Sequence, residues 1–173
     1  MIGSGITNEA VNRGYHVTGI TRNSSKIKIK HVNLSTAKGD VAESENVAKQ
    51  IAGQDVVISA VRGDNSEDGD LDPKHSVEYR VVQSLIAAIR SLGDDAPRLV
   101  LVEGASILES EPGVVMIDKM IKENKLSPDS IGAMFVTHQL NLKLLRATTD
   151  IKLTVITPSG QIRPGKRTGK YHP

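Results

Sequence analysis

Residues 1–23, MIGSGITNEAVNRGYHVTGITRN, decide how the chain is read. Ile2, Ile6 and Ala10 fall at i, i+4 and i+8 and put one apolar stripe on a helix, which Asn12-Arg13-Gly14 ends with polar residues and a glycine. The next stretch, His16-Val17-Thr18-Gly19-Ile20-Thr21, alternates and is rich in β-branched residues, as a strand is. A helix followed at once by such a strand is the second half of a βαβ unit, whose first turn aims backbone N–H groups at a pyrophosphate. The sequence as given lacks the strand and most of the turn that would open that unit.

Outward from this stretch the same alternation continues, with short polar joints and no internal repeat, so an α/β fold with a parallel sheet is predicted. A short strand is expected around residues 31–34, then a Gly39-Asp40 turn and a helix in which Val47, Ala48 and Ile51 share a face before Gly53. Residues 55–61, DVVISAV, are nearly all apolar, as in a parallel strand covered on both faces near the sheet centre. Residues 62–74 are acidic and aperiodic and read as a loop beyond that strand's carboxyl end, where doubly wound sheets bind ligands. Val77, Val81, Val82, Leu85, Ile86, Ile89 and Leu92 mark a long amphipathic helix closed by Gly93. Residues 98–103 form the next buried strand, ending at Gly104-Ala105-Ser106, and residues 108–124 a connection with a short helix near 115–122. Ser127-Pro128 starts a helix that runs to about Thr148. Residues 153–157 are the last strand, Pro158-Ser159-Gly160 follows it, and the tail is basic and turn-rich.

With 173 residues, 38% hydrophobic, the chain suits a single domain with a sizeable core. No apolar run approaches the roughly 18–20 residues of a membrane span, and the start lacks the basic-then-apolar order of a secretory signal, so a cytoplasmic address is expected. The absence of cysteine removes disulfides, thiol catalysis and cysteine-ligated metal, and no metal-ligand spacing is read elsewhere. A net charge of +2 does not argue for nucleic acid. With one Phe and no Trp, aliphatic side chains rather than rings would sandwich any flat substrate.

Ile2-Gly3-Ser4 matches the end of a G-x-x-G-x-x-G turn whose last glycine follows an apolar residue, and residues 163–171, RPGKRTGKY, match an Arg-Pro-Gly-x-Arg-Thr-Gly-x-Tyr segment. Through these the chain resembles the atypical, NmrA-like short-chain dehydrogenases, in the NADH-flavin reductase-like branch akin to biliverdin reductase B. The resemblance runs from Gly3 to Tyr171 and implies a Rossmann-like NAD(P)-binding domain over residues 1–173. It also implies that the sequence is a fragment, with a family strand before Met1 and a strand and helix after Tyr171, and with the second and fourth family strands flanking an open slot.

The resemblance further implies site residues. Met1, Ile2 and Gly3 would sit under the pyrophosphate, with Gly3 letting the helix pack close to the sheet. Arg22, beside Asn23, stands where an acidic residue would take the ribose hydroxyls of NAD, and an arginine there suits the 2′-phosphate of NADP. Asp40 and Val41 would lie beside the adenine, and Ala60, Val61 and Arg62 under the cofactor, although core packing explains Ala60 and Val61 almost as well. Pro158 and Ser159 would border the nicotinamide. Ser106 occupies the place of a substrate-binding Ser or Thr, or is a turn residue. Where related enzymes carry Tyr-x-x-x-Lys, this chain has Met134 and His138. Methionine cannot transfer a proton; His138 is either a donor or a structural histidine.

Two functions from different classes remain open. One is NAD(P)H-dependent reduction of a flavin or similar flat acceptor, which needs chiefly placement of donor and acceptor. The other is a non-catalytic NADP-binding sensor of the NmrA kind with a protein partner. A nucleotide-sugar epimerase or dehydratase, which needs the missing Tyr and Lys, is disfavoured.

Overall fold

The computed structural model describes residues 2–62, 72–126, 130–160, 162, 163, 165 and 169. Met1, the middle of the acidic segment, the Ser127-Pro128 helix start and most of the tail motif therefore lie outside the described residues. Helix α1 (Ile2–Asn12) buries Val11 and keeps Ile2, Ile6 and Ala10 half-buried. It ends at Gly14, whose φ of 85° is left-handed and suits glycine alone. Strand β1 (Val17–Thr21) follows and pairs in parallel with β2 (Leu34–Lys38), Val17 opposite Leu34 and Thr21 opposite Lys38. The second strand thus begins where the sequence reading ended it. Leu34-Ser35-Thr36-Ala37-Lys38 has little apolar alternation, and its pairing with β1 rather than its own propensity makes it a strand.

Helix α2 (Ser44–Ile51) buries Val47 and Ile51 and turns off at Gly53. A second parallel ladder runs in the order β3 (Val56–Ser59), β4 (Arg98–Val102), β7 (Leu153–Ile156). Among the described residues β3 pairs with β4 alone, and Val56 and Ile58 are each 47% exposed. This corrects the expectation of a strand covered on both faces: the face that carries Val56 and Ile58 is open among the described residues, and apolarity alone does not report which neighbours a strand finds. Among the described residues β1 likewise pairs with β2 alone.

The core lies around helix α3 (Val77–Ser91), whose Ser76 side chain caps it by accepting from the Tyr79 N–H. Val81, Val82, Leu85, Ile86 and Ile89 meet Val47 and Ile51 of α2, Leu99 and Leu101 of β4, and Leu145 of α5 (Ser130–Ala147). Ile20 of β1 and Val41 pack against the same cluster, so both ladders share one core. Between β4 and α5, residues read as a plain connection instead form a small antiparallel hairpin, β5 (Glu109–Glu111) with β6 (Val114–Val115), turning at Gly113 with φ 77°. Helix α4 (Met116–Lys122) follows it, close to the expected position.

Candidate functional site

The site begins where β4 stops. Its alternating Leu99 and Leu101 face the core, and the chain leaves the strand through Glu103 and Gly104 into a 3₁₀ turn, Ala105–Ile107. That turn carries Ser106 to α5, where Ser106 Oγ and His138 Nδ1 are hydrogen-bonded at 2.8 Å. Both side chains are buried, at 4% and 6% exposure. Gly104 makes the contact possible: a Cβ at that position would fall on the His138 imidazole. The other ring nitrogen, Nε2, lies 3.6 Å from Glu78 Oε1 in the first turn of α3, and Phe135 meets the ring edge-on with centroids 6.2 Å apart.

Glu103 is buried beneath this pair. Asn141, one helical turn beyond His138, donates its Nδ2 to Glu103 Oε1 at 3.2 Å, while Glu103 Oε2 and Asn141 Oδ1 have no hydrogen-bond partner among the described residues. Burial, and then the Glu78 charge, push the Glu103 carboxyl up to about 7, against the opposing pull of His138 and of the Asn141 and Gly104 hydrogen bonds.

The residues expected to hold a cofactor lie at the carboxyl ends of the parallel strands. Arg22 directly follows β1, is exposed and has no charged partner among the described residues. Asn23 spends its side-chain oxygen on the Ser25 N–H at 3.0 Å. The Gly39 N–H donates to the Thr21 carbonyl, tying the ends of β1 and β2 together, and Asp40 Oδ1 accepts from the Ala42 N–H at 2.9 Å. Val41 faces the core. Ala60, Val61 and Arg62 continue from β3; Val61 packs on the core, and the exposed Arg62 donates Nη2 to Met134 Sδ at 3.6 Å. That contact joins the end of β3 to the α5 position where a tyrosine was looked for. Pro158 is half-buried and Ser159 exposed beyond β7. Ile2 is half-buried and Gly3 exposed at the start of α1, and a Cβ on Gly3 would meet nothing within 4 Å, so no close approach to Gly3 is made by the described residues.

Sequence reasoning passed over Glu78, Glu103 and Asn141. A signal existed: Glu78 precedes Val81 and Val82 by three and four residues, which puts it on the apolar face of α3. Glu103 likewise closes an apolar strand run, and Asn141 follows His138 at i+3.

Comparison with known proteins agrees with this architecture. The NAD(P)H-binding family matches the chain over residues 1–172. A protein of Bacteroides thetaiotaomicron provisionally assigned as an epimerase is 29% identical and superposes with a TM-score of 0.77, over 98% of this chain and 71% of its own. An exported protein of provisional assignment from Burkholderia pseudomallei is 31% identical, with a TM-score of 0.74 over 98% and 73% of the two chains. A provisionally assigned NADH-flavin reductase from Streptococcus pneumoniae is 25% identical, with a TM-score of 0.68 over 96% and 71%. No protein of curated function matches the chain. With a parallel α/β sheet, candidate ligand residues at its strand ends and a family match over nearly its whole length, the chain belongs to the NAD(P)H-binding family of Rossmann-like domains.

Proposed function

We propose that this chain is an NADPH-dependent reductase of the NmrA-like, NADH-flavin reductase-like branch, passing hydride to a flavin or a similarly flat acceptor. The observation that carries the reading is the closed Ser106–His138 pair. Where the resemblance implies a tyrosine for proton transfer, this chain offers Met134 and a histidine that is 6% exposed and already bonded to Ser106. Neither is a ready general acid, which disfavours an epimerase and fits a reaction in which placement supplies most of the rate.

The residues present fit a phosphorylated dinucleotide. Arg22 has no charged partner among the described residues and stands at the end of β1, suited to a 2′-phosphate, and Asp40, Val41, Ala60, Val61 and Arg62 follow in order along the strand ends. When bound, the reduced nicotinamide supplies a hydride. The chain's own part is to position it: Pro158 and Ser159 border the acceptor crevice, while Ser106 and His138 form its rigid floor. The similarity to a provisionally assigned NADH-flavin reductase supports the acceptor class. We place the protein in the cytoplasm, with no nucleic acid or membrane as partner; among the described residues no helix is long and apolar enough to cross a membrane.

A sensor reading is favoured by the same burial, since a cofactor-binding regulator with a protein partner needs no acid or base. The full chain assayed for NADPH oxidation with FMN, FAD and quinones separates the two. Turnover is expected, and His138→Ala is expected to slow it by well under the roughly 10²- to 10⁴-fold due to a general acid. Cofactor binding without oxidation of NADPH by any acceptor would establish the sensor, and a larger loss in His138→Ala would make His138 a proton donor.

A further inference from the structure

Behind Ser106, Glu78 and Glu103 gather around His138, and the hydride-transfer reading gives the two carboxylates no role. Glu78, Glu103 and His138 each present one ligand atom, and these atoms all lie within 4.8 Å of one another. They come from three elements, the first turn of α3, the end of β4 and the middle of α5. A buried carboxylate and a buried imidazole thus meet the half-buried Glu78 where an uncompensated charge is expensive. Independently, Glu103 Oε2 is buried with no hydrogen-bond partner among the described residues, on a side chain only 5% exposed.

The spacing of Glu78 and His138 suits a cation larger than a proton. His138 Nε2 and Glu78 Oε1 stand 3.6 Å apart, too far for a good hydrogen bond. A tetrahedral ion about 2.0–2.2 Å from its nitrogen and oxygen ligands spaces them about 3.3–3.6 Å apart. The ring is already held for such a role. With its proton on Nδ1 and donated to Ser106 Oγ at 2.8 Å, its Nε2 lone pair is on the side of Glu78. Asn141 holds Glu103 in turn through Oε1.

We propose that Glu78, Glu103 and His138 form a binding site for one divalent transition-metal ion of the Zn²⁺ type. A dication matches the combined charge of the two carboxylates when both are ionised. The imidazole nitrogen selects against Mg²⁺ and Ca²⁺, which favour oxygen ligands, and three protein ligands leave a fourth coordination position.

The test uses the full chain, stripped with a chelator and titrated at pH 7 with Co²⁺, Zn²⁺ and Mg²⁺. One equivalent of Co²⁺ is expected to give the visible absorption of a tetrahedral site, Zn²⁺ to abolish it, and Mg²⁺ to leave it unchanged. Zn²⁺ is also expected to raise the melting temperature, saturating at one equivalent. Glu78→Gln keeps the side chain's shape and is expected to weaken Co²⁺ binding by at least about tenfold, the loss typical of a removed metal ligand or its support. The exposed His16 serves as control, and His16→Ala is expected to bind as the parent does. Absence of saturable uptake at one equivalent, or unchanged affinity in Glu78→Gln with its circular dichroism intact, would overturn the proposal. These measurements read binding alone, so they stand whether or not the chain reduces flavins.

Discussion

Replacing Glu103 by glutamine keeps the shape of the side chain and the acceptor that Asn141 uses, and removes the ionisable group. In the fold the Glu103 carboxyl is pushed up from 4.5 to about 7, by burial first and by the Glu78 charge second. A raised value means that the folded protein keeps a proton which the unfolded chain releases. The stabilisation this group contributes is therefore whole below about pH 4.5, is lost as pH rises through 7, and changes no further above that. A gap of about 2.5 pH units, at about 1.4 kcal/mol per unit, corresponds to about 3 kcal/mol. Glu103→Gln should thus match the parent near pH 4.5 and exceed it at pH 8 by about 1–3 kcal/mol, or several degrees in Tm for a chain of this size. Urea unfolding of both proteins from pH 4.5 to 8, with a chelator present, measures the difference. A difference that stays constant across that range, or a variant less stable at pH 8, would refute the reasoning.

Gly104→Ala places a methyl group on the His138 ring and should cost about 1–3 kcal/mol as overpacking does; thermal unfolding reads the loss and the imidazole ¹⁵N shifts report the broken Ser106 bond. Arg22→Ala should weaken NADPH binding about tenfold while leaving NADH nearly unchanged, because one charge-assisted hydrogen bond to phosphate contributes about 1.5–3 kcal/mol. Titration with both cofactors checks this, and equal losses would show that Arg22 does not read the phosphate. Leu99→Ala removes a fully buried side chain from β4 and should destabilise by about 2–5 kcal/mol in urea unfolding.

The elements that the sequence announces are those whose patterns are local. The stripe of α3 and the glycine stops after α1 and α2 are written in consecutive residues, and each element falls within a residue or two of its expected place. Strand β2 and the β5–β6 hairpin were less legible, since Leu34–Lys38 and Glu109–Glu111 owe their extension to a partner strand rather than to their own composition. The exposure of Val56 and Ile58 was hidden for a related reason: an apolar run states a preference for burial and does not say whether a neighbour meets it. At the site, Ser106 and His138 could be placed from the chain, but their hydrogen bond could not. Glu78, Glu103 and Asn141 are separated by 25 and 38 residues, and only the packing of α3 and α5 on the end of β4 brings them together.

The contact between Arg62 and Met134 has its own consequence. A thioether sulfur is a poor acceptor, so the guanidinium at the end of β3 is parked rather than anchored. Among the described residues, drawing it away forfeits one weak bond and strands no other charge. An anionic group arriving beside β3 would therefore recruit Arg62 at little cost in exchanged contacts with the described residues, so that much of the new interaction would count toward affinity. Had a carboxylate stood at position 134, the same arginine would already be spoken for.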